Sequence, residues 1–155
     1  MPKFTLDDIV EAGGSSYPPE FAGVVDGRLV RRLTDPAGLS QFGVNLVRLQ
    51  PGAWSAQRHW HTHEDEFVYL VEGEAMLVTD AGETAMRPGD CAGFPAGEAD
   101  GHCLINKSDS DCVFLVVGSR SDADGAHYPD IDLEAKPGRY SGPGLFTRKD
   151  GTSIG

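Results

Sequence analysis

Read for the alternation of apolar and polar positions, the chain breaks into short stretches punctuated by glycine, proline and aspartate. Residues 27–33 and 42–49 alternate as half-buried strands, with a turn at Asp35-Pro36-Ala37-Gly38 and a break at Pro51-Gly52. Residues 67–71, Phe-Val-Tyr-Leu-Val, are an unbroken apolar run that reads as a buried strand. Residues 74–79 and 83–87 flank Asp80-Ala81-Gly82, whose residue types favour a tight connection between two strands. Pro88-Gly89-Asp90 makes another turn, and 91–94, 102–106 and 112–117 read as three further strands. Short strands at this spacing describe a β-sandwich or barrel rather than a helical or α/β fold.

The two ends have a different texture. A short helix is expected around residues 6–11, capped by Thr5 and stopped by Gly13-Gly14, within an arm of residues 1–26 laid on a barrel of residues 27–118. Residues 119–155 show no sustained period but carry Tyr128, Tyr140 and Phe146, so they are expected to be an ordered extension with a loose end, packed on the barrel or on a neighbouring subunit. The 155 residues suit a single domain, and a chain of this size buries roughly 70% of its unfolded surface. Twenty glycines and ten prolines agree with an all-β protein rich in turns.

Charge narrows the partners. Thirteen basic against twenty-four acidic residues give a net charge of −11, which repels nucleic-acid backbones and anionic membranes. There is no apolar stretch of membrane-spanning length and no signal-peptide h-region at the start. The three cysteines, Cys91, Cys103 and Cys112, lack C-x-x-C spacing and read as small buried fillers of a reduced, cytoplasmic protein.

Candidate chemistry is concentrated in one place. Residues 59–66 hold His59, His61, His63, Glu64, Asp65 and Glu66 directly ahead of the apolar run. In a strand, His59 and His61 point the same way and can reach one ion. Glu66 lies five positions beyond His61, so a straight strand would put it on the opposite face. The polar Thr62-His63-Glu64-Asp65 is read as a turn between two strands that resets this facing, and a fourth ligand must come from elsewhere.

Two segments of the chain resemble the paired motifs of the cupin superfamily, G-x5-H-x-H-x3,4-E-x6-G and G-x5-P-x-G-x2-H-x3-N. His59-x-His61-x4-Glu66-x6-Gly73 matches the first, and Gly89-x5-Pro95-x-Gly97 followed by His102-x3-Asn106 matches the second. Two loop lengths depart from the pattern. Six residues separate Gly52 from His59, and four separate Gly97 from His102. The resemblance implies a double-stranded β-helix, or jelly-roll barrel, with one divalent metal (Mn, Fe, Ni, Co, Cu or Zn) held by His59, His61, Glu66 and His102.

His63 leaves too short a turn before Glu66 to join this set and is assigned to solvent or to a supporting position. The bland alternative is a metal-free barrel with polar residues lining a cavity, but three imidazoles and a carboxylate are costly to bury unpaired. Val68 and Leu70 share the facing of Glu66 and are candidates to line the substrate cavity, together with Arg48 and Asn106. Arg58 is a second arginine able to recognise an anion, and no catalytic residue beyond the ligands is assigned. Trp54, Trp60, Phe67, Tyr69 and Phe94 read as core or interface, His127 as a surface histidine, and Asp122-Ala-Asp124-Gly125 as a calcium-loop start without its downstream ligands.

The run His59-Trp-His-x-His-Glu-Asp-Glu66 is similar to that of many short bacterial cupins. The resemblance implies a metal-dependent protein acting on a small oxygen-rich metabolite. The metal would serve as a Lewis acid in sugar or keto-acid isomerase, epimerase or lyase chemistry, or as an O2 site in a dioxygenase. The alternative is a non-catalytic small-ligand-binding module with a structural metal. A homodimer formed through an edge strand or terminal arm is expected in either case.

Overall fold

The structure is a computed structural model that describes residues 2–142 and 145–154. In chain order its strands are β1 (Arg28–Arg32), β2 (Phe42–Leu49), β3 (Trp60–His61), β4 (Glu66–Glu72), β5 (Ala75–Thr79), β6 (Gly82–Met86), β7 (Cys91–Phe94), β8 (Cys103–Ile105), β9 (Cys112–Ser119), β10 (Ala126–His127), β11 (Glu134–Ala135) and β12 (Phe146–Thr147). All named pairings are antiparallel. One sheet runs β1-β2-β9-β4-β7. Facing it, β6-β5-β8 is joined to β3-β10-β11-β12 by the bridges Trp54 to Ile105 and His59 to His102. The result is the double-sheet jelly-roll barrel, with the core between the two layers.

That core is built by the pleat. Val47 and Leu49 from β2, Val68 and Leu70 from β4, and Cys112 and Phe114 from β9 project inward against Ala75, Met86 and Leu104 of the other layer. The run 67–71 is not buried throughout, as its apolar composition suggested. Val68 and Leu70 are fully buried, whereas Phe67, Tyr69 and Val71 are 44%, 40% and 45% exposed on the outer face. The sheet is covered by protein on one side only, so period-2 geometry overrides composition. Cys103 and Cys112 are buried, but Cys91 is exposed at the sheet edge, contrary to its reading as a filler.

At the N-terminus the expected helix is only a short 3-10 turn, Leu6–Asp8, with the Asp8 carboxylate accepting from the Thr5 N–H at 2.9 Å. The chain then extends so that Ala12 pairs with Val30, exchanging backbone hydrogen bonds of 3.0 and 2.9 Å. These bonds satisfy part of the free edge of β1, a better use of the backbone than a second helical turn. The C-terminal extension is ordered around a small second core of Ala126, Tyr128 and Leu133, packed against Tyr17 and Phe21 of the arm and against Phe146. Thr147 pairs with Ser153 near the end of the extension, and Gly155 lies outside the described residues. Among the described residues no helix is long and apolar enough to cross a membrane.

Candidate metal centre

His59 and His102 are cross-strand neighbours. The His59 N–H donates to the His102 carbonyl at 3.1 Å and the His102 N–H returns the bond at 2.9 Å, which sets both side chains on the same face. Their ring centroids are 4.8 Å apart, and His61, two residues along, brings its Nε2 to 3.2 Å from Nε2 of His59. Glu66 reaches this group from the other layer. Residues 62–65 do not form a hairpin turn; they carry the chain across the barrel from β3 to β4, which belong to opposite sheets. The carboxylate of Glu66 therefore faces the histidines, with Oε2 3.4 Å from His61 Nε2 and Oε1 3.3 Å from His102 Nε2.

The tautomers follow from the outer partners. Nδ1 of His59 lies 2.8 Å from the Gln57 carbonyl, which can only accept, so Nδ1 carries the proton and Nε2 a lone pair. Nδ1 of His61 lies 2.8 Å from Oδ2 of Asp124, with the same consequence. Two lone pairs thus face each other beside a carboxylate, an arrangement that needs a proton or a cation between its members. Burial pushes the His59 ring down to about 4 against the opposing pull of Glu66. Burial also acts against a charged His61, but the hydrogen bonds it donates to Asp124 and Glu66 outweigh this and raise the ring to about 9. Burial would raise the Glu66 carboxyl, yet its contacts with His102 and His61 hold it well below the usual range.

A divalent transition ion fits this set. His59, His61 and Glu66 each offer a ligand atom within 4.8 Å of the other two, a group that could hold a metal ion, and His102 adjoins it with Nε2 3.3 Å from Oε1 of Glu66. A donor set of imidazole nitrogens and a carboxylate oxygen is of the mixed kind that divalent transition ions take, with coordination positions left open. Apart from the contact of its Nε2 with Glu66, His102 is oriented by packing. Its Nδ1 is buried without a partner among the described residues, and the Phe94 ring stacks on it at 3.5 Å and 3°.

Asp124 was missed as a functional residue in the sequence, where Asp122-Ala-Asp124-Gly125 suggested only an incomplete calcium loop. The extension folds back so that buried Asp124 orients His61 through Oδ2 and accepts through Oδ1 from the backbone N–H groups of His63 and Glu64, at 2.9 and 3.2 Å. Supporting carboxylates of this kind fix the tautomer of a metal-binding imidazole. Glu64, also buried, accepts from Ser121 N–H, Arg139 and the Tyr140 hydroxyl, which fastens the extension over the turn. No local spacing signal connects residues 61 and 124, because the link is made only by the β3–β10 pairing.

The remaining candidates divide. Val68 lines the cavity beside the ligands, whereas Leu70 lies deeper in the core. Arg48 is not brought to the site. The pleat of β2 turns it outward, where it pairs with Glu11 at 3.3 Å and Asp111 at 3.6 Å. Asn106 is fully buried but braces a loop, donating to the carbonyls of Leu49 and Ser110 and accepting from Ser108. Arg58 is held by Asp80, Asp130 and the Gly101 carbonyl beneath the His102 segment. His63 is exposed, and His127 stacks on Trp60 with centroids 4.5 Å apart.

A cavity of about 250 Å³ lies over His59, Glu66 and His102, walled by Val68, Leu104, Phe114 and Val116 and edged by Asn45, Arg28 and Arg32. A second, of about 410 Å³, lies under the extension between His59, His61, Tyr17 and Tyr128, and Arg28 borders both.

A family profile described as the cupin domain matches residues 45–118. The chain is similar to a sugar phosphate isomerase of the cupin superfamily from Silicibacter pomeroyi, with 51% identity, a TM-score of 0.94, and coverage of 99% of this chain and 97% of that one. A protein from Acidithiobacillus ferrooxidans, provisionally called a sugar phosphate isomerase, is 29% identical over 82% of this chain and 80% of its own, with a TM-score of 0.73. A polyketide cyclase from Streptomyces resistomycificus, at 24% identity, a TM-score of 0.63 and coverage of 77% and 79%, shares the fold. No functionally curated protein matches the chain.

Proposed function

Because the chain belongs to the cupin superfamily, we propose that it is a metal-dependent isomerase of a small sugar-like metabolite, with the sugar phosphates of its 51%-identical relative as the first substrates to consider. The observation that carries this reading is a cavity sized for a small polyol whose floor is formed by His59, Glu66 and His102, with Nε2 of His61 3.2 Å from Nε2 of His59 beside it. A bound divalent ion would supply Lewis acidity that polarises a carbonyl or hydroxyl oxygen.

The chain's own groups do the rest. Gln57 and Asp124 hold His59 and His61 in the tautomer that aims Nε2 inward, and Glu66 spans His61 and His102. The apolar wall of Val68, Leu104, Phe114 and Val116 limits water around the substrate, which strengthens polar contacts made at the floor. Asn45 offers a neutral amide at the rim for a substrate hydroxyl.

The test is elemental analysis of protein purified without chelator. Metal-loaded protein is then incubated, without O2, with a panel of aldose and ketose phosphates in deuterated water and followed by proton NMR. Isomerisation with deuterium incorporated at carbon, lost in His61→Ala, is the expected result. Full metal occupancy with no exchange or interconversion across the panel would sink the isomerase reading in favour of a ligand-binding module.

A further inference from the structure

The chain carries a net charge of −11, yet the cavity over the candidate ligands is bordered by two arginines and, among the described residues, by no carboxylate except Glu66 itself. The asymmetry follows β1. Its pleat sends Arg31 outward, where it shares the Glu11 carboxylate with Arg48 at 3.4 and 3.3 Å. Arg28 and Arg32, an even number of positions apart, share the side of β1 that carries Val30 and both line the cavity, Arg28 half-buried and Arg32 exposed at its rim.

Arg28 finds only carbonyl partners, donating to Ser55 O at 2.8 Å and Gly14 O at 3.2 Å, and its Nε is buried with no partner among the described residues. The exposed side chain of Arg32 makes no hydrogen bond or ion pair among the described residues. Burial lowers the Arg28 guanidinium from its ordinary value, Tyr17 opposes this, and the charge of Arg32 adds a smaller downward push. A partly desolvated guanidinium without a counter-ion is costly, and a substrate oxyanion is the partner its planar donors match. Two cations call for a dianion. A phosphate monoester carries about −1.5 to −2 at neutral pH, against −1 for a carboxylate.

We propose that Arg28 and Arg32 bind a phosphoryl group of the substrate at the β1 side of the cavity, leaving its sugar oxygens to the floor formed by His59, Glu66 and His102. The assignment rests on the isomerase reading for its substrate class and on the arginine pair for its residues.

The test uses metal-loaded protein titrated calorimetrically with four probes: inorganic phosphate, a hexose phosphate, the unphosphorylated hexose and the corresponding sugar acid. Inorganic phosphate and the hexose phosphate should bind with affinity that falls as salt is raised, and the free hexose should bind far more weakly. Arg32→Ala should weaken phosphate binding by about ten- to a hundredfold while metal content and melting temperature stay as in the wild type. Arg28→Lys, which keeps the charge but not the planar fork and spares the arm, should give a smaller loss. Equal binding of phosphorylated and free sugar, an Arg32→Ala protein that binds like the wild type, or tighter binding of the sugar acid would overturn the proposal. Binding is read without turnover, so the two readings fail separately. Phosphate captured by the arginines without isomerisation removes only the isomerase, and isomerisation indifferent to Arg32→Ala removes only the phosphoryl site.

Discussion

Replacing Asp124 by asparagine preserves shape and tests whether the C-terminal extension controls the candidate metal centre. Oδ1 of Asp124 accepts from two backbone N–H groups, at 2.9 and 3.2 Å, and only an oxygen can do so. The amide of Asp124→Asn must therefore place its NH2 toward Nδ1 of His61, where Oδ2 now sits at 2.8 Å. The NH2 group donates to Nδ1, the proton moves to Nε2, and His61 loses the lone pair it aims at Glu66 and His59. Loss of such a supporting carboxylate typically costs about 10- to 100-fold in metal affinity, or roughly 1.4–2.8 kcal/mol.

The pH profile adds a second readout. In the metal-free protein His61 holds a proton up to about pH 9, so metal entry must displace it. Wild-type affinity should thus rise about tenfold per pH unit between neutrality and that value. In Asp124→Asn the ring titrates lower and the slope near neutrality should flatten. Chelator-competition titrations at several pH values measure both. An asparagine variant that matches wild-type affinity and slope would refute the claim that Asp124 sets the tautomer of His61.

Two other predictions concern the scaffold. Gly73 adopts φ 77°, and an added Cβ would lie 2.5 Å from the Asp111 carbonyl oxygen and 2.9 Å from Cys112 Cα; Gly73→Ala should therefore cost about 2–4 kcal/mol. Gly82 also has positive φ but meets nothing within 4 Å, so Gly82→Ala should cost clearly less in denaturant titrations, and equal losses would discredit the close-approach argument. We further propose that the homodimer expected from the sequence forms through the outer face of the larger sheet. There Phe67, Tyr69 and Val71 lie exposed beside Leu115 and Val117 of β9. Light scattering should show a dimer that Tyr69→Glu converts to monomer, and a wild-type monomer at high concentration would rule the interface out.

What could be read along the chain was whatever depends on neighbours in sequence. Strand pleat and turn residues set most of the strands, and two-residue spacing placed His59 and His61 on one face. The glycine at 73 closed the motif after Glu66. Other features depend on which strands meet. The run 67–71 looked uniformly buried until only one face of its sheet proved covered, and Glu66 faces its partners because residues 62–65 change sheets rather than turn. Asp124 reaches His61 only through the pairing of β3 with β10, and Arg28 and Arg32 border the cavity beside His59 and His102 only because β1 pairs with β2 in the facing sheet. Such contacts join residues tens of positions apart in a register fixed by packing of the whole core, which local sequence does not encode.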